Sequence, residues 1–223
     1  MAAIRIILHG KAAGDARVRT AVHAVRQNGH PAEVRVTWEP GDAARLTAEA
    51  VADAGAGKVS CIVAGGGDGT INEVFASAYG EGLPPQCSLG VLPLGTANDF
   101  AHAAGIPIEN PTAALQLAAS GPPQWIDVGL LAGRPFINLV SGGFGSRVTM
   151  ETDPELKRRL GGLAYLLTGI SHFAELSANR GSFRAEGFSW QGRFVAVAIG
   201  NGRPAAACSS ARTRWLTMVC WIC

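Results

Sequence analysis

The residues with the clearest capacity for chemistry lie in one short run, Gly65-Gly66-Gly67-Asp68-Gly69-Thr70. It follows an apolar stretch and leads into a helical pattern. Glycines at such a place let the backbone turn sharply and approach a ligand with no Cβ in the way. The helix that follows offers free N–H groups and the positive end of its dipole, which together suit a phosphate. Asp68 is unexpected there, because a carboxylate repels phosphate. It is explained if it accepts backbone N–H bonds and fixes the turn, or if it touches a ribose or a metal. Thr70 can cap the helix and bind a phosphate oxygen. The run lacks the Gly-Lys-Ser/Thr of a P-loop, and it follows the third strand of the pattern rather than the first, unlike the Rossmann fingerprint.

A second turn repeats the theme. Pro93-Leu94-Gly95-Thr96-Ala97-Asn98-Asp99-Phe100 also follows an apolar strand and opens a helix. Gly95 permits close approach, and Thr96 can cap its helix and donate to phosphate. Asn98 and Asp99 suit a structural role, tying the loop to its neighbour. Thr37 closes an earlier strand and would reach the same carboxyl edge, where open α/β sheets bind their ligands. It equally suits plain strand packing.

These turns need a parallel sheet to bring them together, and the chain supplies the pattern. Ile4–Leu8 reads as a strand, Asp15–Asn28 as a helix ending at Gly29, and Glu33–Trp38 as an alternating strand. A helix runs from Asp42 through Ala54. Val59–Ala64 is continuously apolar, as for a strand buried on both faces. Ile71–Ala78 is helical, Leu89–Leu92 a strand, and Thr112–Ala119 a further helix. Strands alternating with helices imply βαβ units, hence a doubly wound, mostly parallel α/β domain over residues 1–123. Beyond Gly121-Pro122-Pro123 the rhythm changes. Trp125–Leu131, Arg134–Val140, Gly181–Trp190 and Phe194–Gly200 read as strands, with a helical block at about Pro154–Leu176. This predicts a second, mainly antiparallel β-sandwich domain over 124–203, incomplete in this chain.

Composition narrows the functional classes. The 223 residues are 48% hydrophobic with a formal net charge of +2, enough for a core and too little charge for a nucleic-acid footprint. No run of eighteen apolar residues occurs, so no membrane span is expected. Met1–Gly14 reads as a first strand rather than a signal peptide. Cys61, inside an apolar strand, and Cys87, in a Pro-rich loop, lack metal-ligand spacing and suit reduced thiols in a cytosolic protein. The five histidines show no ligand spacing either.

Gly65–Val74 (G-G-G-D-G-T-I-N-E-V) together with Pro93–Ala101 (P-L-G-T-A-N-D-F-A) resembles the diacylglycerol-kinase catalytic domain family, in its bacterial lipid-kinase branch. V-T-W-E-P-G-D-A-A-R (36–45), N-L-V-S-G-G-F-G-S-R (138–147) and W-Q-G-R-F-V-A-V-A-I-G-N-G-R (190–203) extend the likeness to about residue 203. The resemblance implies a two-domain kinase that transfers the γ-phosphate of ATP to a lipid hydroxyl, with Mg²⁺ assisting. By position it implies nucleotide contacts from Thr37, Gly66, Gly67, Asp68, Gly69, Thr70, Ile71, Asn72, Glu73 and Thr96. It implies a nucleotide and a membrane-surface lipid as partners, peripheral contact with the membrane, and no nucleic acid. The helical block, with K-R-R before L-G-G-L-A-Y-L-L, suits either lipid contact or packing on the sheet. Other readings of the same turns are a kinase for a soluble acceptor, such as NAD or a sugar phosphate, and a nucleotide-binding remnant without catalysis.

After Gly202-Arg203 the resemblance stops, and residues 204–223 hold three of the five cysteines. Read one base out of frame, Met218–Val219 must encode Gly, Cys220–Trp221 Leu and Trp221–Ile222 Asp. The shifted tail then reads as family sequence running to D-D-G-L-L. The expectation is a frameshift near codon 203. It places the family's catalytic carboxylate and metal loop beyond this chain, leaving it at best a weak nucleotide binder without lipid phosphorylation. No strand is predicted in the tail.

Overall fold

The computed structural model describes residues 2–143, 178–185, 187–201 and 217–221. The helical block expected at 154–176 lies outside them. Four parallel strands form the main sheet: β1 (Ala3–His9), β2 (Ala32–Thr37), β3 (Val59–Gly66) and β4 (Ser88–Pro93), in the order β2-β1-β3-β4. The order reverses at β1, which makes the fold doubly wound and opens a crevice at the carboxyl ends of β1 and β3. Helix α1 (Ala16–Gln27) packs on one face with α5 (Pro111–Ser120). Helices α2 (Asp42–Gly55) and α3 (Asp68–Gly80) pack on the other. A short α4 (Asp99–Ala103) follows β4.

Strand alternation divides the core in two. Ile4, Ile6 and Leu8 of β1 face α1, whereas Ile7 faces α2 and α3. Ile6, Ile7, Ile62 and Val63 are wholly buried, each contributing about 1.5–3 kcal/mol by leaving water. Arg5 lies among them, only 5% exposed. Its Nη2 reaches Asp53 of α2 at 2.9 Å and Glu33 of β2 at 3.0 Å, while its Nε is buried without a partner.

Helix starts follow their caps. Asp15 accepts from the Arg17 N–H to open α1, and Asn110 accepts from the Ala113 N–H to open α5, with Pro111 in the first turn. Helix α3 begins at Asp68, three residues before the expected Ile71, with Gly67 as its uncapped N-cap. Thr70 is therefore inside the helix and is not the cap the sequence suggested. At α4 the N-cap is Asn98, in the left-handed region at φ 50°, so Thr96 does not cap that helix.

The chain divides into two compact units, Met1–Asn138 with Asn201–Arg212, and Leu139–Gly200 with Thr213–Cys223. The division falls at Asn138 rather than 123, because a hairpin joins the first unit. It pairs β5 (Gly129–Leu131) with β6 (Arg134–Phe136), and Phe136 and Ile137 are buried in that unit. Positive φ at both Ala132 and Gly133 gives its two-residue turn the twist that hairpins favour. Trp125 is in no strand and is 99% exposed. The strand expected from Trp125 therefore shrinks to Gly129–Leu131.

The second unit is antiparallel, as expected. Strand β10 (Ala196–Gly200) sits between β7 (Leu139–Gly143) and β11 (Thr217–Trp221). The tail thus contributes a strand where none was predicted. Gly181–Trp190, expected as one strand, is part of a hairpin of β8 (Asn179–Ala185) and β9 (Phe188–Phe194). Gly187, at φ +72°, lies in its turn.

Candidate functional site

Strands β3 and β4 run in register, Gly66 opposite Pro93, and the Leu94 N–H extends the pairing by donating to the Gly66 carbonyl at 2.9 Å. Both glycine turns therefore leave the sheet side by side at one edge. They pack backbone to backbone. A Cβ on Gly95 would stand 2.6 Å from the Gly67 Cα, and one on Gly67 would stand 3.2 Å from the Gly95 Cα. A Cβ on Gly66 would meet Thr70 Oγ1 at 2.6 Å, whereas Gly69 faces open space. Glycine at 67 and 95 is thus set by the facing backbone and glycine at 66 by the Thr70 side chain, whereas nothing crowds position 69.

Asp68 locks the two turns together. Its Oδ2 accepts from the Asp99 N–H at 3.2 Å, and its Oδ1 accepts from the Phe100 N–H at 3.2 Å and from Asn138 Nδ2 at 3.0 Å. The carboxylate of one helix start thereby caps the next helix, α4. Of the alternatives open in the sequence, fixing the turn is the one the geometry supports. Asn98, 3% exposed, completes the loop by accepting from the Gly95 N–H and donating to the Gly95 carbonyl, both at 2.9 Å.

With Asp68 turned toward α4 and no side chain capping α3, the N–H groups of Asp68, Gly69 and Thr70 head that helix without an intrahelical acceptor. Helices α1 and α5 are closed by their own caps, whereas α2, with Gly41 as N-cap, is also uncapped; what marks α3 is that its open start faces the second glycine turn. Open N–H groups, the helix dipole and the open space at Gly69 make this helix start suited to an anion such as phosphate.

The other implied contacts fall into different places. Thr37 accepts from the Gly10 N–H at 3.3 Å through its Oγ1, which binds the end of β2 to the end of β1. Thr96 is exposed in the second turn. Ile71 has a wholly buried side chain, and its N–H donates to the Gly67 carbonyl at 3.0 Å, so it has no polar group to offer a nucleotide. Asn72 turns its Oδ1 to the Ile137 N–H at 3.0 Å and holds the end of the β5–β6 hairpin on α3. Glu73 is exposed in the second turn of α3. Asn138 was not singled out as a site residue, although it opens the N-L-V-S-G-G motif; its partner lies seventy residues away.

The described residues contain no group of three His, Cys, Asp or Glu that could hold a metal ion. The buried thiols are not nucleophiles at neutral pH: burial pushes Cys61 up to about 11 and Cys87 up to about 12.

A doubly wound α/β sheet with paired glycine turns at the carboxyl ends of the neighbouring strands β3 and β4 is an architecture suited to holding phosphate. This chain belongs to the diacylglycerol kinase catalytic domain family, whose model matches residues 4–131. It is 52% identical over 203 residues to a Pseudomonas aeruginosa PAO1 protein named "Probable lipid kinase YegS-like", covering 91% of this chain and 64% of that protein. A Cronobacter sakazakii protein of the same name is 48% identical, with 90% and 66% covered. The chain thus spans about two thirds of the length of these relatives. Two crystal structures from Bacillus anthracis str. Sterne share the fold. One, described as a diacylglycerol kinase, is 21% identical with a TM-score of 0.61, covering 90% of this chain and 63% of that one. The other, whose assignment as such is provisional, is 24% identical with a TM-score of 0.68, covering 91% and 67%.

Proposed function

We propose that this chain carries the nucleotide half of an ATP-dependent lipid kinase, one that passes the γ-phosphate of ATP to a lipid hydroxyl at the cytoplasmic membrane surface. The observation that carries the reading is the open N-terminus of α3 set against the second turn, with Gly67 and Gly95 in backbone contact. Phosphoryl transfer asks mainly for positioning and charge neutralisation. The backbone N–H groups of Asp68, Gly69 and Thr70 would hold phosphate oxygens. Gly69 would admit them closely, and Thr37 and Thr96 would offer hydroxyls at the rim. Asp68 would keep the two turns in register rather than touch the nucleotide. Mg²⁺, when bound, supplies charge neutralisation; the residues here fix the phosphates. Among the described residues no helix is long and apolar enough to cross a membrane, and the acceptor would be met at a surface.

The test has two readouts on the 223-residue chain. Calorimetric titration with ATP should show binding that weakens in Gly69→Val. Radiolabelled ATP with mixed bacterial lipids, against NAD and sugar phosphates, reports transfer and acceptor class. Binding with label moving only to a soluble acceptor would replace the lipid reading. Binding without any transfer would reduce this chain to a nucleotide-binding domain. No ATP binding would remove the proposal altogether.

A further inference from the structure

The β8–β9 hairpin of the second unit has two faces of opposite character. Phe183, Trp190 and Phe194 stack on one, with ring centroids 5.4–6.4 Å apart. The other carries Arg180, Ser182 and Arg184 from β8 and Ser189, Gln191 and Arg193 from β9, all exposed. Arg180 and Arg193 stand directly opposite each other in the register. Like charges in that position destabilise a strand pair. None of the three guanidiniums has an acidic partner among the described residues; Arg19, Arg26 and Arg134 have none either, and what sets this face apart is the Arg180–Arg193 pair placed directly opposite across the strands. A local rule broken without internal compensation points to a counterpart outside the fold.

The face also has the form for one. Arg180, Ser182, Gln191 and Arg193, with the backbone of Gly181 and Gly192, line an open cleft of about 460 Å³. Cross-strand Cβ atoms lie about 5 Å apart, and four residues along a strand span about 14 Å. The three charges are therefore spread along the hairpin rather than focused on one ion.

We propose that this arginine face docks the protein on an anionic phospholipid leaflet. An anionic bilayer is the partner that matches this spread of unpaired positive charge, being extended and negative. The formal net charge of only +2 argues against a nucleic acid. The choice of a bilayer rests on the lipid-kinase reading above, but the docking is separable from ATP binding and is tested without it.

The test is vesicle co-sedimentation of the full chain, with phosphatidylcholine vesicles and with vesicles that also contain phosphatidylglycerol. The protein should bind only the anionic vesicles, and added salt should release it. The triple variant Arg180→Gln, Arg184→Gln, Arg193→Gln should bind on the order of a hundredfold more weakly, at roughly fivefold per charge near the leaflet. The matched triple Arg180→Lys, Arg184→Lys, Arg193→Lys should restore most of the binding. Arg17→Gln with Arg19→Gln, on α1 of the first unit, should change nothing. Thermal melts of each variant, and its ATP titration, separate loss of docking from loss of fold or of the nucleotide site. Equal binding to both vesicle types, or unchanged binding by the folded glutamine triple, overturns the proposal. So does tight binding of a single-stranded oligonucleotide or of inorganic phosphate that depends on the arginines while vesicles are ignored.

Discussion

Asp68 and Asn138 are seventy residues apart in sequence and joined by a 3.0 Å hydrogen bond at the mouth of the glycine turn. The same carboxylate caps α4, so one side chain organises three segments. Asp68→Ala should destabilise the first unit by about 1–3 kcal/mol in urea denaturation, because it leaves the Asp99 and Phe100 N–H groups without their acceptor. ATP affinity should fall with it. Affinity unchanged in a folded Asp68→Ala protein would show that the turn holds its shape without the cap.

The glycines separate by what surrounds them. Gly95→Ala forces a Cβ to 2.6 Å from the Gly67 Cα, and its unfolding free energy should fall by about 1–3 kcal/mol. Gly69→Ala meets no atom and sits within α3, so stability should hold or rise by a few tenths up to about 1 kcal/mol. If the nucleotide approaches as proposed, Gly69→Ala should nevertheless weaken ATP binding. Paired melts and titrations of the two variants check the opposite signs.

Asp42 predicts an acid limit. The Trp38 N–H, then the Arg45 guanidinium and the Glu39 N–H, hold its carboxyl down at about 2. A lowered carboxyl stabilises the fold fully above its ordinary value near 3.9 and loses that contribution as the pH falls from about 4 toward 2. Melting temperature should therefore drop across that window, and the drop should be smaller in Asp42→Asn, which should already melt lower at neutral pH.

Arg5 is costly to strand and cheaper to replace. Asp53→Ala combined with Glu33→Ala leaves a buried guanidinium without its carboxylates and should cost roughly 3 kcal/mol. Arg5→Met removes the charge together with the unpartnered Nε and should cost clearly less. Guanidinium-chloride curves of the two proteins decide the order.

The sheet, its helices and the position of the turns were legible in the sequence because each is local: a strand, a glycine run and a helix pattern within some twenty residues. Asp68 was half legible: fixing the turn by accepting backbone N–H bonds was one of its readings, but its partners, 31, 32 and 70 positions away, were not. Asn72 and Ile71 sit inside the motif, yet the first holds a hairpin and the second fills the core; membership of a motif did not say which way each faced. Arg5 was hidden because a strand buried on both faces has no polar side to mark. The 181–190 segment kept its alternation through the turn at Gly187, so one strand was expected where two meet.

The contact between Gly67 and Gly95 has a consequence for variation. Each position sets the clearance of the other, so neither can accept a larger residue unless both loops are rebuilt together. Insertions in either turn should be rejected unless matched, and random mutagenesis should recover changes there as linked pairs. The two turns, a helix and a strand apart in the chain, would be inherited as a single unit.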